Sequence, residues 1–133
     1  MFTLEQITNA HAKVRTGIDF PKYVQELVSL WVAKYEIYVT DGHAEYFAPD
    51  NTTLKSEPKY TTLIVMDDSN KDAFEMQLKA HQAGKTDYLT FCQHAAETGV
   101  EKWTVNTQAM TCTYFDKQGR ILLIEAIPMV KSL

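Results

Sequence analysis

The sequence predicts an α+β domain of two helix-helix-three-strand pseudo-repeats, its antiparallel sheet covered on one face by helices. Three observations predict it. Apolar residues recur at helical spacing through residues 4–14 and 20–31, and the period then falls to two between Tyr35 and Phe47. The same order, helical stretches and then strand patterns, returns between Ser69 and Pro128. The two stretches also align without gaps at a spacing of 68 residues. From Asp19 to Ala48, six of thirty pairs are identical, where average composition gives roughly two. We read a single domain over 1–133 with an internal duplication, about 1–66 and 69–128.

Thr3 with Gln6 forms a capping-box pattern ahead of Leu4, Ile7, Ala10 and Val14, so a first helix opens there and Gly17 closes it. Asp19 caps a second helix with Pro21 in its first turn, where a missing N–H is harmless. Phe20, Tyr23, Val24, Leu27, Leu30 and Trp31 form its apolar face. Asp41-Gly42 between two β-rich runs signals a hairpin with a type I′ turn. Tyr35, Ile37 and Val39 share one face of it, and Glu36, Tyr38 and Thr40 the other. The polar stretch from Pro49 to Lys59 reads as an exposed loop before a third strand, Tyr60 to Met66.

Ser69 with Asp72 suggests a second capping box, opening a helix with Phe74, Leu78 and His81 on one side and Gly84 at its end. Thr86 caps the fourth helix, which carries Tyr88, Phe91, Cys92, Ala95 and Ala96 and stops at Gly99. Strand patterns follow at Lys102 to Thr107, Met110 to Phe115 and Arg120 to Ile127. Six antiparallel strands can form one sheet or two; a cone-shaped sheet with helices is the alternative arrangement. Trp31 departs from the repeat, because its counterpart Gly99 ends a helix where left-handed φ is cheap only for glycine. Either the second helix ends differently from the fourth, or Trp31 holds a conformation costing about 1 kcal/mol or more.

At 133 residues and 15.2 kDa the chain is long enough to bury a core. Its net charge of −4 argues against a nucleic-acid partner, which calls for a basic stripe. The apolar runs Leu63 to Met66 and Ile121 to Ile124 are far too short for a membrane span. The start, Met1-Phe2-Thr3-Leu4-Glu5, has neither the basic residues nor the apolar run of an export signal. A cytoplasmic protein with both cysteines reduced is therefore expected.

No phosphate-binding glycine loop, G-x-S-x-G, H-E-x-x-H or C-x-x-C occurs, and no cofactor is expected. Cys92 and His94, two apart on one helix, point about 200° from each other and cannot act jointly. Cys92 or Cys112 could still meet a distant histidine, yet buried cysteine commonly serves as a small hydrophobe. His11 and His81, each in an Ala-His pair, suggest either a shared site or inherited helix packing. His43 after the hairpin turn reads as solvated. Tyr35 and Tyr46 read as core, while Tyr38 could join an outward aromatic patch. Asp67, Asp68 and Asp72 lack calcium-loop spacing and suit a helix N-terminus, so no metal is expected.

The runs from Lys79 to Cys92, Gly99-Val100-Glu101-Lys102-Trp103, Ala109 to Asp116 and Met1 to Ile7 resemble a bacterial family of unknown function. This is the YbcV-like family, domain of unknown function 1398. The resemblance covers essentially the whole chain. It implies a protein that is often prophage-encoded and sometimes labelled a phage envelope protein, with glycine usual at position 31. It brings no catalytic residues. The expectation is a small binding or interaction protein that uses the first hairpin and the Pro49 to Lys59 loop against a protein or small-molecule partner, with a homodimer possible through its strand edges. The alternative is a small enzyme using Cys92 or Cys112 with a histidine.

Overall fold

A computed structural model describes residues 2–14 and 17–128. The elements in chain order are α1 (Leu4–His11), a 3-10 turn (Gly17–Asp19), α2 (Phe20–Ser29), β1 (Lys34–Tyr38), β2 (Ala44–Phe47), β3 (Thr53–Lys55), α3 (Lys71–Gln82), α4 (Tyr88–Glu97), β4 (Lys102–Asn106), β5 (Thr111–Phe115) and β6 (Ile121–Ala126). The strands make one antiparallel sheet in the order β3-β2-β1-β4-β5-β6. Two three-stranded meanders thus meet at β1 and β4, and the register centres on Glu36 opposite Thr104. There the Glu36 carboxylate accepts from Lys102 Nζ at 2.8 Å and Thr104 Oγ1 at 3.0 Å.

Alternation decides the sheet's two faces. Tyr35 and Ile37 of β1, Ala44 and Tyr46 of β2, Trp103 and Val105 of β4, and Cys112 and Tyr114 of β5 are all buried. They pack on Tyr23 and Leu27 of α2, Phe74 and Leu78 of α3, and Phe91 and Cys92 of α4 in one core. Glu36, Tyr38, Phe47, Thr104 and Phe115 take the other, half-exposed face.

Several elements sit differently from the sequence reading. The Thr3–Gln6 capping box forms in full. However, α1 ends at Ala12, because Lys13 N and Val14 N take carbonyls three residues back and tighten the chain out of the helix. Gly17 therefore opens the 3-10 turn instead of closing α1. Asn70, not Ser69, caps α3, its side chain accepting from Ala73 N at 3.1 Å. Asp87, not Thr86, caps α4, accepting from Thr90 N at 2.7 Å.

The β1–β2 hairpin forms, but not with a type I′ turn. Gly42 has φ +74° while Asp41 is not left-handed. The loop runs over Val39–Gly42, closed by Gly42 N to Tyr38 O at 2.8 Å and Tyr38 N to His43 O at 3.0 Å. The third strand is Thr53–Lys55, inside the expected loop. The Ala48–Thr52 turn sends the chain straight back onto the free edge of β2, pairing Tyr46 with Leu54. Residues 60–66 are then left to cross the end of the hairpin as irregular chain. Leu63 N donates to Thr40 O and Met66 N to Ala96 O, and Tyr60 Oη reaches Val39 O.

Six of the seven left-handed residues described fall in pairs 68 positions apart: Trp31 (φ +68°) with Gly99 (+83°), Gly42 (+74°) with Met110 (+54°), and Asn51 (+69°) with Gly119 (+78°); the seventh is Gly84 (+79°) at the end of α3. Trp31 therefore takes the second of the two courses expected for it. Helix α2 ends as α4 does, in a Schellman arrangement. Trp31 N meets Val28 O and Val32 N meets Leu27 O, as Gly99 N meets Ala96 O and Val100 N meets Ala95 O. Only the second site adds a steric demand. A Cβ at Gly99 would stand 2.6 Å from Ser69 Cα and 2.7 Å from Asp68 O.

These two ends generate opposite expectations. Trp31→Gly removes a strained side chain that is 74% exposed, and should raise stability by about 1 kcal/mol. Gly99→Ala adds strain and a backbone clash, and should lower it by about 2–4 kcal/mol. Urea unfolding of both variants checks the pair; a destabilised Trp31→Gly protein would show that the indole contributes more than its backbone costs.

Candidate functional site

Between the helices and the sheet lies a cavity of about 430 Å³. Its floor comes from the alternation described above: Tyr35, Ile37 and Tyr46 from the first meander, Trp103, Cys112 and Tyr114 from the second. Both helix pairs supply walls, with His11 from α1, Tyr23 from α2, Leu78 and His81 from α3, and Tyr88 and Phe91 from α4. Lys59 stands at the hairpin end, where its N–H is tied to Asp41 O at 2.8 Å. Glu125 of β6 lies at the other end of the strands, opposite Cys112, and accepts from Gln82 Nε2 at 2.9 Å.

The aromatic lining is continuous. Tyr23 meets Tyr35 edge-on at 6.1 Å and Tyr35 meets Tyr46 at 5.6 Å; Phe91 and Tyr114 flank Trp103 at 5.6 and 6.0 Å. The phenols keep their protons. Burial raises Tyr23, Tyr35, Tyr88 and Tyr114 well above the ordinary tyrosine range.

The two histidines expected either to share a site or to reflect helix packing line the same cavity, in different ways. His81 stacks on Phe91 at 4.4 Å with planes 11° apart, and its Nδ1 lies 3.1 Å from both Thr86 O and Thr86 Oγ1. That carbonyl fixes Nδ1 as the donor nitrogen. His11 sits edge-on to Tyr23 at 5.3 Å and to Tyr88 at 5.7 Å. Burial, aided by the Lys59 charge, lowers its pKa to about 4, so His11 is neutral at pH 7. Lys59 is itself held below the ordinary lysine range by desolvation of its ammonium, although much of the residue is exposed.

Both cysteines are buried and free, and tyrosines rather than histidines are their partners. Tyr60 and Tyr88 hydroxyls reach Cys92, and Tyr114 reaches Cys112. Burial pushes Cys92 up to about 11 and Cys112 up to about 12. Such thiols are poor nucleophiles at neutral pH. His94, on the same helix as Cys92, is half-exposed and points elsewhere.

Outside the cavity, His43 is not simply solvated. Its Nδ1 is 2.6 Å from Asp41 and its Nε2 3.3 Å from Glu45, and its ring stacks on Tyr38 at 4.5 Å. Tyr38 thus belongs to the open sheet face, covered by His43 on one side and approached by Lys102 at 5.7 Å. Asp67 pairs with Lys117 at 2.9 Å. Among the described residues no group of three His, Cys, Asp or Glu is placed to hold a metal ion, and no helix is long and apolar enough to cross a membrane.

Lys59 is the residue that sequence reasoning passed over, treating it only as the end of a polar loop. Its one signal was position, directly after Pro58 in a stretch long for a strand connection. Tyr35 and Tyr46 are buried as expected, but nothing in the spacing of the tyrosines shows a void beside them.

The His11 shift carries a sign. Its folded pKa lies below the ordinary 6.5, so the unfolded chain takes up the proton first as pH falls. Stability from this group is complete above about pH 6.5 and is lost on the way down to about 4, by about 1–2 kcal/mol after allowance for partial exposure. His11→Gln should therefore lose less Tm than the parent between about pH 7 and pH 4.5; equal losses would remove His11 from the acid response. The thiols give a second check. Iodoacetamide at about pH 8 should label both cysteines at least ~100-fold more slowly in folded than in unfolded protein, and fast labelling of either would overturn the placement of that thiol.

Comparison with known sequences adds a family and one relative. An uncharacterised protein of Escherichia coli (strain K12), YcgX, is 23% identical over 121 residues, covering 91% of this chain and 90% of that protein. The family model described as "Protein of unknown function (DUF1398)" matches residues 8–126, which takes in every strand, all but the first turn of α1, and the cavity lining apart from Ile127 and Pro128. With that span of the fold inside the match, the chain belongs to the DUF1398 family.

Proposed function

We propose that this protein binds a small molecule in the cavity between its helices and its sheet. One observation carries the reading. An aromatic space of about 430 Å³, large enough for a compact ring system, is walled by both halves of the chain and has charged groups, Lys59 and Glu125, only at its ends. Core packing ordinarily leaves no such volume. A site of this kind favours a small-molecule partner over a protein docked on the first hairpin, whose outward aromatic Tyr38 is already stacked.

The enzyme alternative has the thiol chemistry against it: each sulfur is buried, raised in pKa and partnered by tyrosine. We also infer that the two halves descend from one helix-helix-three-strand unit. The paired left-handed residues at a 68-position spacing support this. A prophage-linked setting, with the YbcV-like and phage envelope labels, belongs to the reading through the resemblance alone, and a cytosolic location is part of the proposal.

N-phenyl-1-naphthylamine, a neutral aromatic dye that brightens in apolar surroundings, tests the site. The parent protein should bind it saturably, one per chain. Ile18, exposed on the 3-10 turn and lining the cavity, allows the mouth to be narrowed without disturbing the core. Ile18→Trp should weaken dye binding at least ~10-fold with an unchanged melting curve. Absence of saturable binding to the parent, or full binding to Ile18→Trp, would overturn the assignment.

A further inference from the structure

The cavity has a direction. At the hairpin end, Lys59 brings a cation to the lining, close enough to His11 to depress it. Among the described residues Lys59 makes no ion pair, as Lys22, Lys34, Lys55, Lys79 and Lys85 make none, and of these it is the lysine that lines the cavity. The imidazole of His11 makes ring contacts with Tyr23 and Tyr88, and no hydrogen bond from it to another described residue is present. Two donors, an ammonium and an imidazole N–H, therefore face one space with their hydrogen-bonding capacity unspent. Lys59 is exposed to water and also borders the aromatic space, so an anion held in the cavity gains a charge-assisted contact there. The far end carries the opposite sign, because Glu125 lies across from Cys112 with its carboxylate held by Gln82.

We propose that the site selects an aromatic anion. Lys59 and His11 receive a carboxylate or similar singly charged group, and the ring body lies among Tyr23, Tyr35, Tyr88 and Trp103. This rests on the cavity being a small-molecule site and adds the chemical class of the ligand. Lys59 gives the charge-assisted contact and His11 the directional one. The tyrosine and tryptophan faces give the body stacking and edge contacts that an aliphatic chain would not use. Glu125 repels an anion that enters reversed, so the ligand has one orientation.

Two dyes separate the proposal from the reading beneath it. 1-Anilinonaphthalene-8-sulfonate and N-phenyl-1-naphthylamine share a ring system and differ by one anionic group. The parent should bind the sulfonate dye at least ~10-fold more tightly than the neutral one. Lys59→Met should weaken the sulfonate dye ~10- to 100-fold and the neutral dye less than ~2-fold. Lys34→Met, a lysine over Phe47 on the opposite sheet face, should change neither. Thermal melting confirms that each variant is folded. Equal affinity of the parent for both dyes, or equal loss of both in Lys59→Met, overturns anion selection while leaving the small-molecule site intact. Failure of both dyes to bind overturns the two together.

Discussion

The antiparallel join between β1 and β4 is the constraint on which the rest of the structure depends. Each three-stranded meander has one apolar face, and a unit of about 60 residues buries only about 60% of its surface and is marginal on its own. Pairing Lys34–Tyr38 with Lys102–Asn106 turns two such faces into one continuous surface. The pairing is reinforced away from the core, where Glu36 is held by Lys102 and Thr104. Thr107 reaches across to Val32 O at 2.6 Å and Ala33 O at 2.8 Å, fixing the chain that leaves α2 to the chain that leaves β4. Once the register is set, each helix pair follows its own strands, and the position of the cavity between the pairs follows from both.

That geometry accounts for the character of the site. Tyr35 and Trp103 lie diagonally across the central strands, Tyr35 opposite Val105 and Trp103 opposite Ile37, so each strand sets one large ring under the space between the helix pairs. Large, rigid side chains cannot interdigitate as closely as branched aliphatic ones, and the room they leave is lined by ring faces and phenol groups. Buried polar groups must find partners. Here burial raises both thiols, the neighbouring tyrosine hydroxyls act the other way, and burial wins, which quiets the sulfur chemistry that the cysteines alone would suggest. Titratable groups of opposite sign are confined to the ends, Lys59 at the hairpin and Glu125 on the last strand.

Local errors in the sequence reading share a cause: several signals competed within a few residues. Ser69, Asn70 and Asp72 all favour a helix start, and the winner is the residue whose side chain reaches a free N–H, which is Asn70. At the fourth helix Asp87 took that role and released Thr86 to accept from His81. Residues Tyr60 to Met66 have strand-like composition but lost the sheet edge to Thr53–Lys55, because the turn at Asn51 reaches the edge first. β-propensity describes fitness for a pleated, half-buried surface and cannot say which of two nearby segments obtains it.

What the sequence alone determined was periodic and local. The α+β class, the helix-helix-strand order, the Thr3–Gln6 cap, the stops at Gly84 and Gly99, the burial of Tyr35 and Tyr46, and the uncomfortable place of Trp31 all follow from spacing and backbone sterics within a few residues. Tertiary structure alone decided that the strands form one sheet, that His11 and His81 line a common space, that Lys59 reaches it, and that each cysteine meets tyrosine. Those relations join residues tens of positions apart through the β1–β4 register, and a periodic pattern records which face a side chain takes but not which distant side chain, or what empty volume, it will face there.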